Sequence, residues 1–123
     1  MTLKYTIHNY NIMKITILSN TNSPFIVTHY KDCSLLVEMS DLNQDVPLPF
    51  DDTTIILFMK FRYIFKKRKH LFNSRFQTLS DTEQQSLIVI SNFIGNSSLT
   101  TYILNLYYIH IYYQVIPKCF ITI

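Results

Sequence analysis

One glycine stands in this chain of 123 residues, and its place is informative. With Gly95 alone, the Gly-rich turns of a P-loop or a dinucleotide site cannot be assembled. What Gly95 can do is end a helix, because it takes the left-handed conformation wanted just past the last turn. Upstream, Ser80-Asp81-Thr82-Glu83 reads as a capping box, in which Ser80 and Glu83 satisfy each other's backbone N–H. Asp81 and Glu83 also complement the positive end of a helix dipole. Leu87, Ile90 (or Ser91) and Ile94 follow as the buried stripe. The spacing predicts a helix from the capping box to Gly95.

Composition sets the remaining limits. Hydrophobic residues make up 48% and charged ones 15% of the chain, which argues for one packed domain and against a disordered polyelectrolyte. There is no alanine, while residues with A/T-rich codons (Ile, Phe, Tyr, Asn, Lys) abound. Nucleotide bias of an organelle or another A/T-rich genome explains this, so an Ile or a Tyr says less about packing here than elsewhere. Cys33 and Cys119 form no C-x-x-C pair, so neither a zinc ribbon nor a disulfide scaffold is indicated.

The net charge of +3 hides a strong asymmetry. Between Asp52 and Asp81 there is no acid, yet Lys60, Arg62, Lys66, Lys67, Arg68, Lys69 and Arg75 fall there. From Gln84 to Pro117 there is no formal charge. A separated basic block has a polyanionic partner or is a solvated face.

Periodicity predicts an order of strand, helix, strand, strand, helix, strand. Residues 12–18 alternate as a β-strand. Ser23 and Pro24 read as the N-cap and first position of a helix, with Ile26, Tyr30, Cys33 and Val37 on one stripe and an end near Met39. Pro47 and Pro49 suit an irregular or edge strand. Ile55, Leu57, Met59, Phe61 and Tyr63 alternate with Lys60 and Arg62, and Phe72, Ser74 and Phe76 alternate with Arg75. Two strands flanking the basic tip at 66–70 make a long hairpin; a helix through Ile64–Phe72 is the alternative. Residues 99–116 read as a final strand. The expectation is an α+β, ferredoxin-like split β-α-β fold, with two helices on one face of a four-stranded antiparallel sheet and a long basic hairpin. It assigns residues 1–11 to an N-terminal extension, 12–116 to a single RNA-binding domain and 117–123 to a C-terminal tail.

No catalytic set emerges. His29 and Cys33 have a spacing that could supply two metal ligands, but no second pair accompanies them, and a packed Cys33 is the simpler reading. Asp51-Asp52 lacks a partnering base and reads as a solvated turn. Neither a cofactor, a metal nor a small-molecule substrate is expected. Leu99–Ile116 lacks formal charge and approaches the length of a membrane span, which keeps open an alternative as a small subunit of an organellar membrane complex. Asn105, His110, Gln114 and the dispersed tyrosines oppose it, so no span is expected.

The basic segment points to nucleic acid. Lysine and arginine neutralise phosphates, and aromatic residues among them can stack on unpaired bases. The candidate RNA-binding residues are Lys60, Arg62, Phe65, Lys66, Lys67, Arg68, Lys69, His70 and Arg75, with Phe65 and His70 as stackers.

These elements resemble the small-subunit ribosomal protein number ten (S-ten) family. Met13-Lys14-Ile15-Thr16-Ile17-Leu18 is similar to its first strand, followed by a helix. Pro47-Leu48-Pro49 stands where that family keeps Pro-Leu-Pro. Lys66, Lys67 and Arg68 before Leu71-Phe72 resemble its basic tip, and Thr82-Glu83 its second helix start. A closing strand completes the likeness, which runs from Ile12 to Tyr113. The resemblance implies a non-catalytic protein of the small-subunit head, and the A/T-biased composition adds that it is a divergent mitochondrial member, organelle-encoded and in the matrix. It would contact ribosomal RNA through the hairpin and pack against neighbouring head proteins.

Overall fold

A computed structural model describes residues 13–42 and 44–122, with side-chain surroundings through Ile109. The expected extension over 1–11 lies outside the described residues. Strand β1 (Lys14–Leu18) is the centre of a three-stranded sheet, between β2 (Pro24–Thr28) and the short β3 (Val46–Pro47). β1 pairs antiparallel with β2, Ile15 opposite Val27 and Ile17 opposite Phe25, and parallel with β3, Ile17 opposite Val46. Five α-helices lie among the described residues: α1 (Ser34–Met39), α2 (Asp52–Lys67), α3 (Phe72–Gln77), α4 (Asp81–Ile94) and α5 (Ser97–Thr122). Short 3-10 turns at Tyr30–Asp32, Ser40–Leu42 and Lys69–Leu71 join them.

This overturns the expected ferredoxin-like fold. Among the described residues the sheet has three strands and is mixed, not four and antiparallel, and both arms of the expected basic hairpin are helical. Three local decisions account for the difference. Asn22 adopts the left-handed region (φ 66°), which an asparagine tolerates. With Ser19 Oγ accepting from the Thr21 and Ser23 amides, it closes a hairpin loop between β1 and β2. Pro24 therefore opens an edge strand, where its missing N–H is harmless, and β-branched Ile26, Val27 and Thr28 extend it. The helix expected from Ser23 is confined to α1.

The second decision lies at Asp51, whose carboxylate accepts from the Thr54 amide at 2.8 Å and caps α2. Asp52 in the first turn and Lys66 and Lys67 in the last complement the helix dipole. Ile55, Phe58, Phe61 and Ile64 are buried on one side of α2. Apolar residues are so dense from Ile55 to Phe65 that they satisfy period two and period 3.6 alike, and packing selects the helix. The third is the expected final strand, which is part of α5, a helix that continues to Thr122 through the residues expected as a tail. Asn96 Oδ1 accepts from the Leu99 amide at 3.2 Å and starts it.

The capping box at α4 stands as expected: Glu83 N donates to Ser80 Oγ at 3.1 Å and Ser80 N to Glu83 Oε1 at 2.8 Å. Gly95 ends the helix at φ 85°. The core joins Ile17 and Val27 of the sheet to Leu36, to the α2 stripe, and to Leu87, Ile90, Ile94, Leu99 and Ile103. An aromatic cluster fills the end nearest the basic segment. Phe61 meets Phe72 edge-on at 5.3 Å between centroids, Phe72 stacks on Phe76 at 6.1 Å, and Tyr102 packs against Phe65 and Phe72.

Candidate nucleic-acid interface

The basic residues occupy the outer side of α2, the 3-10 turn after it, and α3. A helix with one apolar side must turn its remaining positions to solvent, which is why bases and aromatic core residues alternate in the sequence here. Lys60, Lys66, Lys67, Arg68, Lys69, His70 and Arg75 are all exposed. Arg68 is the C-cap of α2, and its amide donates to the Ile64 carbonyl at 2.8 Å. Lys67 and Arg68 thus cluster where α2 presents unpaired carbonyls, a place that favours cations even without a ligand.

The expected site residues do not form one uniform surface. Arg62 is committed to the fold: Nε and Nη2 donate to Asp32 at 2.9 and 2.8 Å, and Nη2 also reaches the Thr28 and His29 carbonyls at 2.9 Å. Its side chain retains 11% exposure. Burial would push the Asp32 carboxyl up, but the hydrogen bonds and charge of Arg62, with Lys66 beyond, hold it below the usual carboxylate range. Lys66 is drawn partly into the same group, 3.9 Å from Asp32 and 3.4 Å from the His29 carbonyl. Phe65 is half-buried against Phe72 and Tyr102, and the Lys69 ammonium lies 4.6 Å from its ring centroid. It therefore serves the core more than a ligand.

Lys60, Lys67, Arg68 and Arg75 form no ion pair among the described residues. His70 projects from the 3-10 turn and is exposed. A helical reading of α2 adds what the strand reading missed. Lys60, Tyr63 and Lys67 fall at i, i+3 and i+7, on one exposed stripe. Tyr63 is 58% exposed, and beside it α2 and β2 leave a groove of about 230 Å³.

The other candidate chemistries resolve into structure. His29 is exposed at left-handed φ 49°, whereas Cys33 is fully buried, and a 3-10 turn separates them. Burial, reinforced by the Asp32 charge, pushes the Cys33 thiol up to about 12, which leaves it protonated and unreactive at neutral pH. Asp51 caps α2, and Asp52 accepts from Thr21 Oγ1 at 3.1 Å and Ser23 Oγ at 2.9 Å, pinning the β1–β2 loop. Among the described residues no group of three His, Cys, Asp or Glu side chains could hold a metal ion. No helix, over the described residues, is long and apolar enough to cross a membrane. Compared with protein-family models and with curated proteins, the sequence matches none.

Proposed function

We propose that this protein is a non-catalytic RNA-binding component of a ribonucleoprotein, the small subunit of a mitochondrial ribosome. The observation that carries the RNA reading is the exposed positive charge of Lys60, Lys67, Arg68 and Arg75, none of which forms an ion pair among the described residues. Such a surface gains affinity for a polyanion by releasing its counterions. The fold also supports protein neighbours. The charge-free stretch after Gln84 leaves Val89, Phe93, Tyr108 and Ile109 exposed, apolar side chains that a neighbouring protein would cover.

The small-subunit reading rests on the short S-ten-like motifs and on the organellar composition. It draws nothing from a shared four-stranded sheet, since the described residues form a mixed sheet of three strands. The test is sedimentation of native organelle lysate, followed by mass spectrometry of this chain with and without RNase. Co-migration with the small ribosomal subunit, lost after RNase, is the expected result. A variant with Lys67→Glu, Arg68→Glu and Lys69→Glu should keep its helical circular dichroism and leave the particle. Normal incorporation of that variant sinks the RNA role of this surface, and migration with a detergent-extracted membrane complex sinks the ribosomal reading.

A further inference from the structure

The groove between β2 and α2 makes the RNA reading more specific. On α2, Phe58 and Phe61 are buried and Phe65 is packed, but Tyr63 enters none of the ring pairs described and keeps 58% of its surface free. Ile26 of the edge strand β2, 57% exposed, lies along the same groove. Lys66 and Lys67 line its α2 side, Thr28 and His29 its β2 side. Lys60 precedes Tyr63 on the exposed stripe by one helical turn, and Lys67 follows it by one. A flat aromatic face between cations, beside an apolar side chain, has the chemistry of a platform for an unpaired base with its phosphates on the lysines. At about 230 Å³ the groove is smaller than the roughly 300–1,000 Å³ that encloses a whole small ligand. It suits one base of a strand whose remainder lies on the surface.

We propose that this groove binds an unpaired nucleotide of RNA, its base stacked on Tyr63 and its flanking phosphates on Lys60 and Lys67. The inference rests on the RNA-binding reading above and adds to it a preference for single strands. A duplex keeps its bases stacked and paired, and so offers nothing for Tyr63 to hold.

Fluorescence anisotropy of the full chain tests it with two labelled probes, a twelve-nucleotide oligouridine and a twelve-base-pair RNA duplex. Tyr63→Ala should weaken binding to oligouridine by about tenfold and leave duplex binding unchanged, while Tyr63→Phe retains the unsubstituted affinity. Circular dichroism controls for folding, which the exposure of Tyr63 protects. Equal loss on both probes, or no loss on oligouridine, overturns the groove proposal while Lys67→Glu still weakens both. If the unsubstituted protein binds neither probe, the RNA-binding reading itself fails.

Discussion

Arg62 grips Asp32 with two nitrogens, at 2.9 and 2.8 Å, and so clamps the outer side of α2 to the 3-10 turn that follows β2. Asn96 Nδ2 donates to the same carboxylate at 3.0 Å from the α4–α5 junction. One carboxylate thus ties together three parts of the chain distant in sequence. Its cost is a cation withdrawn from the basic surface. Its return is a fixed wall for the groove, because the same guanidinium holds the Thr28 and His29 carbonyls against α2.

Removing that guanidinium should therefore act on stability. Arg62→Ala leaves a half-buried carboxylate and two backbone carbonyls without their donor, and should cost about 2–3 kcal/mol, discounted from a fully buried pair for the remaining exposure. Arg62→Lys should recover little, since an ammonium cannot reproduce the forked geometry. Urea unfolding followed by circular dichroism measures both. A loss within error of zero for Arg62→Ala would show that the clamp is dispensable.

The same group sets a pH dependence. Asp32 has a folded-state pKa below its unfolded value of about 3.9. Its contribution to stability is then fully present well above that value and lost as pH falls through the folded pKa. The urea midpoint should be flat from neutrality to about pH 5 and decline below it. Asp32→Asn should lower the plateau and flatten the decline. An unchanged acid limb in that variant would assign the titration to other carboxylates, such as Asp51, which the Thr54 amide also holds down.

Gly95 should resist any side chain for two separate reasons. Its φ of 85° costs an L-residue about 1–2 kcal/mol, and a Cβ there would collide with Ser34 Oγ and stand 3.1 Å from the Leu35 amide nitrogen. Gly95→Ala should lower the thermal midpoint by several degrees. Adding Ser34→Ala removes the Oγ collision and should return part of the loss, while the approaches to Ser34 Cβ at 3.2 Å and to the Leu35 amide, and the backbone part, remain. Full recovery in the double variant would mean that the left-handed conformation is not retained.

The elements legible in the sequence were those specified by their own ends. β1 alternates in isolation, and α4 carries a cap, a buried stripe and a terminating glycine within sixteen residues, Ser80 to Gly95. Those signals are local, and no tertiary contact can easily overrule them. α2 and α5 failed for a shared reason. In a chain so rich in Ile, Phe and Tyr, alternation arises by composition, and period two no longer discriminates a strand from a buried helix. The better evidence for α2 lay at its termini, with Asp51 and Asp52 at one end and Lys66, Lys67 and Arg68 at the other. The basic surface was legible as charge, but its division was not. Nothing near Arg62 in sequence says that Asp32, thirty residues away, will claim it. Tyr63 was hidden by the strand reading, which put it on the same face as core residues.

That division gives a last test, through salt. Binding to single-stranded nucleic acid weakens with salt by a slope of roughly 0.7 for each phosphate neutralised. Lys67→Ala and Arg68→Ala remove cations that are free for a phosphate, so each should make the plot of log affinity against log salt shallower by about 0.7. Arg62→Ala removes a cation whose donors are already directed at Asp32 and at backbone carbonyls. Measured well below its unfolding midpoint, it should leave the slope within error of the unsubstituted protein. The contrast isolates charge placement from charge number, because all three variants lose one positive charge. Equal shallowing in the three would mean that Arg62 releases Asp32 to meet RNA, and that the clamp opens on binding.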